Sequence, residues 1–488
     1  MNESHRKDRH VPRYHFVAPE GPCVPFDPNG CLFWRGRYHL FYIYQDPTLT
    51  RGRDCWGHAS SRDLVHWRLH PPALKPEPDV PEQGIYSGCA LVTREGVPAL
   101  VYYGVRAGIC IAFAEDDELL HWRRHPANPV IVEPKRGDPD FDVYRVFDPH
   151  AWLTDGVYHV ILGGRVKPHD IRDTAYLFTS DDLEHWEYQR PFYNPNPNWT
   201  DANEDCACPD FFRLGDQHVL LCISHPRGAR YYLGRYQAGT FIPDSHHRMN
   251  YPGGACFAPE SLEDGMGRRL VWAWATPQRQ RGTDPFATMT LPRVLTATSP
   301  GALMIEPARE LELLRRDHRE TEAMELDAAE RLCPELAGDC LELRVAIQPR
   351  GARRMGLSVR AAPNRIEETR IVYDAVARTL AIDSTRSSLD PAVFRSFPIY
   401  AKDPPPRDVA VQTAPCMLEQ DDTLRLTVFL DASIIEIYAN DRLALTGRIY
   451  PTLAGSRYTR LFAEGGRAAF SPVQVWDMGA LSYSADES

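Results

Sequence analysis

Two aspartates stand at the mouths of apolar runs, each followed by a proline. Pro25-Phe26-Asp27-Pro28-Asn29-Gly30 leads into the run 31–44, and Val146-Phe147-Asp148-Pro149-His150 leads into 152–162. Proline after Asp blocks helix and fixes the local backbone, so each carboxylate is held in a set direction. Asp-Pro is also an ordinary turn signal, and either copy alone reads as a turn. Two carboxylates on different strands are what cleavage of a glycosidic bond needs: one attacks or stabilises, another protonates the leaving oxygen. A third acidic stretch, Asn203-Glu204-Asp205-Cys206-Ala207-Cys208-Pro209-Asp210-Phe211-Phe212, precedes the run 217–223. Its lone Cys-x-Cys has no second pair and is a weak metal signal, so neither metal nor cofactor is expected. The chain carries no nucleotide-binding loop, no Cys/His catalytic pair and no Gly-x-Ser-x-Gly motif.

The elements that must position these acids announce themselves by repetition. Ser61-Arg62-Asp63-Leu64-Val65-His66-Trp67 is echoed by Asp117-Glu118-Leu119-Leu120-His121-Trp122 and by Ser180-Asp181-Asp182-Leu183-Glu184-His185-Trp186. The spacing, 55 and then 64 residues from Trp67 to Trp122 to Trp186, is about one four-stranded sheet. Each copy reads as a strand, a Ser/Asp turn and a strand opening on His-Trp. Short apolar or alternating runs bounded by Gly, Pro, Asn or Asp dominate to about residue 310. The pattern predicts an all-β fold: a β-propeller over 1–310, with its chemistry at the mouth of the central channel. Residues 306–331, rich in Glu, Leu, Arg and Ala, predict a helix that begins a linker over 311–331. Alternating runs within 332–488 then predict a β-sandwich, with a hairpin turn at Asn440-Asp441 and a long proline-rich loop over 384–415.

At 488 residues the chain has room for both domains. The net charge of −11 argues against nucleic acid, whose binding rests on clustered Lys and Arg. No stretch approaches the roughly 20 apolar residues of a membrane span, and the polar start offers no signal-peptide core. Twelve scattered cysteines without a framework predict free thiols and a cytoplasmic location. The expected partner is a small-molecule oligosaccharide.

Taken in order, the motifs resemble glycoside hydrolase family 32, the invertase, inulinase and levanase family. Phe26-Asp27-Pro28-Asn29-Gly30 is similar to the family's Asn-Asp-Pro-Asn-Gly, and Trp56-Gly57-His58-Ala59-Ser60-Ser61-Arg62-Asp63-Leu64-Val65-His66-Trp67 matches a long family stretch. Tyr86-Ser87-Gly88 resembles its Phe-Ser-Gly, Phe147-Asp148-Pro149 its Arg-Asp-Pro, and Cys206-Ala207-Cys208-Pro209 its Trp-Glu-Cys-Pro. The resemblance implies a five-bladed propeller followed by a β-sandwich, and a retaining furanosidase mechanism. Asp27 would be the nucleophile, Asp148 would orient hydroxyls and stabilise the transition state, and a glutamate at position 207 would be acid and then base. Trp56 and Ser87 would shape the pocket.

The chain departs from the family where chemistry is expected. Ala207 cannot donate a proton, and a positioned acid–base group is worth roughly 10²–10⁴-fold. Three readings stand open: a Glu→Ala substitution made to trap a complex, a natural pseudoenzyme that binds sugar, and a displaced acid at Glu204, Asp205 or Glu260. Phe26, Phe147, Cys206 and Ile43 replace the family's Asn, Arg, Trp and Gln, although Gln45 lies two residues on, on the same strand face. These changes remove polar partners for sugar hydroxyls, for which Arg145, Arg165 or His150 are candidate replacements. The substrate expected is a β-fructofuranoside or a related furanose-containing oligosaccharide, with fructosyl transfer as the alternative to hydrolysis.

Overall fold

A computed structural model describes residues 8–49, 53–78, 80–277, 286–298, 301–394, 410–418 and 423–485. Five sheets, each with a core of four antiparallel strands, form the first half, two of them extended by a fifth short strand. Their first strands are Pro28–Trp34, Ile85–Val92, Pro149–Thr154, Ala207–Leu214 and Cys256–Glu263. Each of these touches the first strand of the next sheet, and the fifth returns to the first, so the sheets are five blades around a closed axis. All five inner strands run the same way along that axis. Their N-terminal ends therefore meet at one mouth of the channel.

The sequence repeat is the connection between the third and fourth strands of blades 1, 2 and 3. In blade 1, Ser61 Oγ accepts the Leu64 N–H at 2.9 Å, Asp63 accepts the His66 N–H at 2.9 Å, and Trp67 Nε1 donates to the Leu64 carbonyl at 2.9 Å. Blade 3 repeats this with Ser180, Asp182, His185 and Trp186, and in blade 2 Asp116 holds the His121 N–H. Leu64, Leu119 and Leu183 have φ of +66°, +61° and +68°. The side-chain bonds hold these leucines in a conformation that L-residues avoid, and their side chains are buried. The motif is a structural clasp.

Two runs expected to be single strands are hairpins. The run 31–44 bends at Arg35-Gly36 into Pro28–Trp34 and Arg37–Gln45, and 152–162 bends at Asp155-Gly156 into Pro149–Thr154 and Val157–Val166. The helix expected over 306–331 is not formed either. Arg309–Leu314 is one 3₁₀ stretch that buries Leu311 and Leu314, and Arg315–Glu320 is a strand paired with Gln474–Met478. Only a three-residue spacing of apolar groups is available there, which satisfies a short turn but not an amphipathic helix. Arg315 and Arg319 instead meet Glu342 and Asp477 on neighbouring strands, a tertiary pairing that overrides helix propensity.

The second half is a sandwich of two antiparallel sheets, one ordered from Arg315–Glu320 through Gln474–Met478, Cys340–Gln348, Leu424–Asp431 and Ile434–Ala439 to Leu443–Arg448. Leu343, Leu357, Ile371, Val428, Ile435 and Leu461 fill the space between the sheets. The hairpin at Asn440-Asp441 forms with both residues at positive φ. Of the loop expected over 384–415, residues 395–409 lie outside the described residues; its start continues the strand Thr379–Arg386, and Val411–Pro415 is a strand paired with it. The halves are locked together by buried charge. Asp431 accepts the N–H groups of Arg13, Tyr14 and His15, and Arg293 of blade 5 pairs with Glu436 at 3.0 Å. The last strand, Ser482–Ala485, returns to pair in parallel with His66–Leu74 of blade 1. Among the described residues no helix is long and apolar enough to cross a membrane.

Candidate active site

The channel mouth is built from the first residues of the inner strands, which do not enter their sheets straight. Pairing slips between Asn29 and Leu32 in blade 1, Ile85 and Gly88 in blade 2, Ala207 and Asp210 in blade 4, and Phe257 and Glu260 in blade 5. Such bulges bend a strand and re-aim its side chains. Cys208 at φ +44°, inside the blade 4 bulge, and Asp148 at φ +22°, just ahead of the blade 3 inner strand, carry backbone strain on the order of 1–3 kcal/mol each.

Asp27, Ser87, Asp148 and Cys208 come from four different blades and converge. Ser87 Oγ donates to Asp27 Oδ2 at 3.0 Å. The Cys208 N–H donates to Asp148 Oδ2 at 3.0 Å, and its thiol lies 3.5 Å from that oxygen and 3.9 Å from Asp27 Oδ2. One sulfur therefore touches both carboxylates. The Asp27 backbone is fixed in turn: its carbonyl accepts the Ile43 N–H at 3.1 Å and the Asn29 side-chain amide at 2.8 Å. Asn29 also receives the Gly88 N–H at 3.0 Å, which ties blade 1 to blade 2. Residue 88 must be glycine here, since a Cβ would sit 2.1 Å from the Val101 carbonyl oxygen. Gly163 serves the same purpose between blades 3 and 4. Its N–H bonds the Phe147 carbonyl at 3.1 Å, and a Cβ would meet the Cys206 carbonyl oxygen at 2.4 Å.

Both carboxylates are buried, and the electrostatics follow. Burial, and then the nearby Asp148 charge, pushes the Asp27 carboxyl up to about 7 against the pull of the Ser87 hydrogen bond. Burial likewise pushes Asp148 up to about 6, opposed by the Cys208 N–H and the field of His225. Burial and both carboxylates drive the Cys208 thiol well above its usual range, so it remains a donor. Asp27 Oδ2 is thus held by a hydroxyl and a thiol, while Oδ1 is buried with no hydrogen-bond partner among the described residues.

Ala207 is fully buried at the first position of its strand, beside Cys208, and supplies no titratable group. The candidate replacement acids fare differently. Glu204 is locked between Arg230 and Arg248, which hold its carboxyl below the usual range despite burial. Glu260 lies lower in the channel, where burial and Asp210 push it up and the Gly30 and Cys31 N–H groups bond it. Asp205 accepts the His225 N–H at 2.9 Å and pairs with His225 Nδ1.

Phe26, Ile43, Trp56, Cys206, Gln45 and Arg145, all expected at the pocket, are engaged elsewhere in the protein. Phe26, just ahead of the first strand, is fully buried and packs on Phe16 and Tyr42, away from Asp27 and its partners. Ile43 and Trp56 pack between blades 1 and 2, where Trp56 Nε1 donates to the Tyr86 carbonyl at 3.1 Å and so steadies the strand bearing Ser87. Cys206 is fully buried towards Cys222 and Arg230, away from Cys208, so the two thiols of the Cys-x-Cys diverge. Gln45 engages Val24, Pro25 and Asp54 and braces the segment ahead of Asp27. Arg145 is half exposed and forks onto Asp170 at 3.2 and 3.0 Å. Of the other two candidate hydroxyl partners, His150 bonds the Phe211 carbonyl and Arg165 the Asn203 carbonyl. Phe147 alone of the four family replacements is partly exposed, with its ring between Tyr103 and His225.

The sequence profile of the Glycosyl hydrolases family 32 N-terminal domain matches residues 15–307, and that of the family's C-terminal domain matches 310–477. Sucrose-6-phosphate hydrolase of Zymomonas mobilis is 29% identical, over 94% of this chain and 91% of its own length. The raffinose invertase of Escherichia coli is 28% identical, over 95% and 94%. Fructan 1-exohydrolase IIa of Cichorium intybus shares the fold, with a TM-score of 0.83 at 23% identity over 99% of both chains.

Proposed function

The chain belongs to glycosyl hydrolase family 32 and is a glycoside hydrolase; from that premise we propose that it is a retaining furanosidase acting on β-fructofuranosides or a related furanose-containing oligosaccharide. The observation that carries this reading is the meeting of Asp27 and Asp148 across one sulfur at the channel mouth, with Asp27 Oδ1 left without a protein partner. In this account Oδ1 attacks the anomeric carbon and forms a glycosyl ester. Asp148 stabilises positive charge developing on the furanose ring and accepts hydrogen bonds from its hydroxyls. Ser87 and Cys208 hold Asp27 in line while the attack proceeds. The partly exposed ring of Phe147 gives the pocket an apolar wall where the family places arginine, which selects against substrates that rely on a charged partner there.

Position 207 offers no proton, so substrates whose leaving group needs none are the cleanest probe. The chain is expected to release the phenol from an activated aryl β-fructofuranoside, and Asp27→Asn and Asp148→Asn each to bring that release to background. An inert native chain, or an Asp27→Asn protein that still turns over, overturns the reading. A cytoplasmic location is part of the proposal, supported by twelve cysteines of which none is in a disulfide.

A further inference from the structure

Resting on the reading of Asp27 as nucleophile, the geometry points to the Asp205–His225 pair as the proton-transfer group of this site, with His225 in the acid–base role that Ala207 cannot fill. His225 follows the second strand of blade 4, Gln217–Ser224, and Asp205 stands two residues ahead of the inner strand of the same blade, Ala207–Leu214. Two bonds clamp them: the His225 N–H to Asp205 Oδ1 at 2.9 Å and Nδ1 to Asp205 Oδ2 at 2.5 Å. A histidine gripped through both its backbone and Nδ1 is held in one orientation, and proton transfer is assigned to its other ring nitrogen, Nε2.

The ring packs beside Phe147, the residue before Asp148. Its centroid lies 6.4 Å from the ring of Phe147 and 6.1 Å from that of Phe257 in blade 5. The fields of Asp27 and Asp148 both act on His225, and its field acts on each of them. Burial alone would discharge the imidazole, but Asp205 first, and then Asp148 and Asp27, raise its affinity for the proton above the ordinary value. Asp205 itself is held below the usual carboxyl range, against burial, by His225 and Arg165. The proton of the pair therefore resides on the histidine. No other titratable group among these neighbours is poised to carry it: Asp27 and Asp148 are committed to attack and stabilisation, and Cys208 is driven far from titration.

The two steps balance. As the anomeric C–O bond breaks and Asp27 Oδ1 forms its ester bond, the Nε2 proton passes to the leaving oxygen. Water then attacks the anomeric carbon and gives its proton to the neutral imidazole, and the ester C–O bond breaks to return the Asp27 carboxylate. The net reaction consumes one water and leaves both groups as they began.

The test compares two substrates in three proteins. An activated aryl β-fructofuranoside needs no acid for departure of the phenol, whereas a fructo-oligosaccharide such as 1-kestose does. His225→Gln is expected to lower kcat/KM on the oligosaccharide by about 10²–10⁴-fold while changing the pre-steady-state release of phenol by less than about tenfold. Asp205→Asn is expected to move the alkaline limb of the oligosaccharide pH profile to lower pH, because it removes the charge that holds the proton on His225. Retained phenol release shows that the variants are folded. Equal losses on both substrates, an unaltered oligosaccharide rate, or an alkaline limb unmoved in Asp205→Asn overturns the assignment of His225. If the native chain releases no phenol at all, it is the furanosidase reading that fails.

Discussion

Removing the Ser87 hydroxyl isolates one contact to the nucleophile. The Ser87 O–H stabilises the ionised form of Asp27 at 3.0 Å in a buried setting, and hydrogen bonds to charged groups are worth about 1.5–3 kcal/mol. At about 1.4 kcal/mol per pH unit, Ser87→Ala should raise the pKa of Asp27 by about 1–2 units from its value of about 7. The sign is fixed: losing a donor to the carboxylate favours its neutral form, and the neutral form cannot attack. At pH 7 the ionised fraction falls from about one half to between one tenth and one hundredth, a loss of about 5- to 50-fold that vanishes as the pH approaches 9 to 10. The assay is kcat/KM for an activated aryl β-fructofuranoside from pH 5 to 10, which reports attack without demanding an acid. Because Asp148 titrates nearby, the acid limb belongs to the pair, and it is the displacement of that limb that carries the result. Ser87→Thr keeps the hydroxyl and should leave the limb in place. A limb that stays put in Ser87→Ala, or a loss that is uniform with pH, would refute the reasoning.

Asp27→Asn should trade activity for stability. The folded state binds the Asp27 proton more tightly than the unfolded chain, so Asp27 stabilises fully below about pH 4 and progressively less as pH rises through about 7. Urea unfolding should accordingly show Asp27→Asn gaining up to about 4 kcal/mol over the native chain at pH 8 and nothing at pH 4. Glu436→Ala strands the buried Arg293 guanidinium and should cost about 3–5 kcal/mol in the same assay. Glu204→Gln, by contrast, should lower stability yet leave the pH profile of turnover unchanged, since two arginines already keep that carboxyl ionised. Adding Ala207→Glu to the His225→Gln protein should restore oligosaccharide cleavage by at least about tenfold, measured by chromatography of the released sugar.

The parts of this site legible in the sequence are those written in local chemistry. The Ser/Asp turn with its His-Trp ending is a clasp complete within seven residues, so three copies mark three blades. Asp27-Pro28 and Asp148-Pro149 announce fixed carboxylates at strand starts, and the inner strands bring them to one mouth. Orientation was harder to read. Phe26, Ile43, Trp56 and Cys206 stand at motif positions beside the site, yet strand alternation and the bulges at the inner-strand starts turn their side chains into the packing between strands and blades. The stretch 306–331 has helical composition but spends its arginines on Glu342 and Asp477, partners far away in the sequence. His225 carries no sequence signal, because Ser-His-Pro is an ordinary turn until Asp205 is folded against it.

Rapid quenching of the native chain with an activated aryl β-fructofuranoside, followed by proteolysis and mass spectrometry, tests the central claim most directly. The account predicts a burst of phenol and a peptide containing Asp27 heavier by one fructosyl unit, with no such adduct in Asp27→Asn. Turnover without any adduct, or an adduct on Asp148 instead, would contradict it.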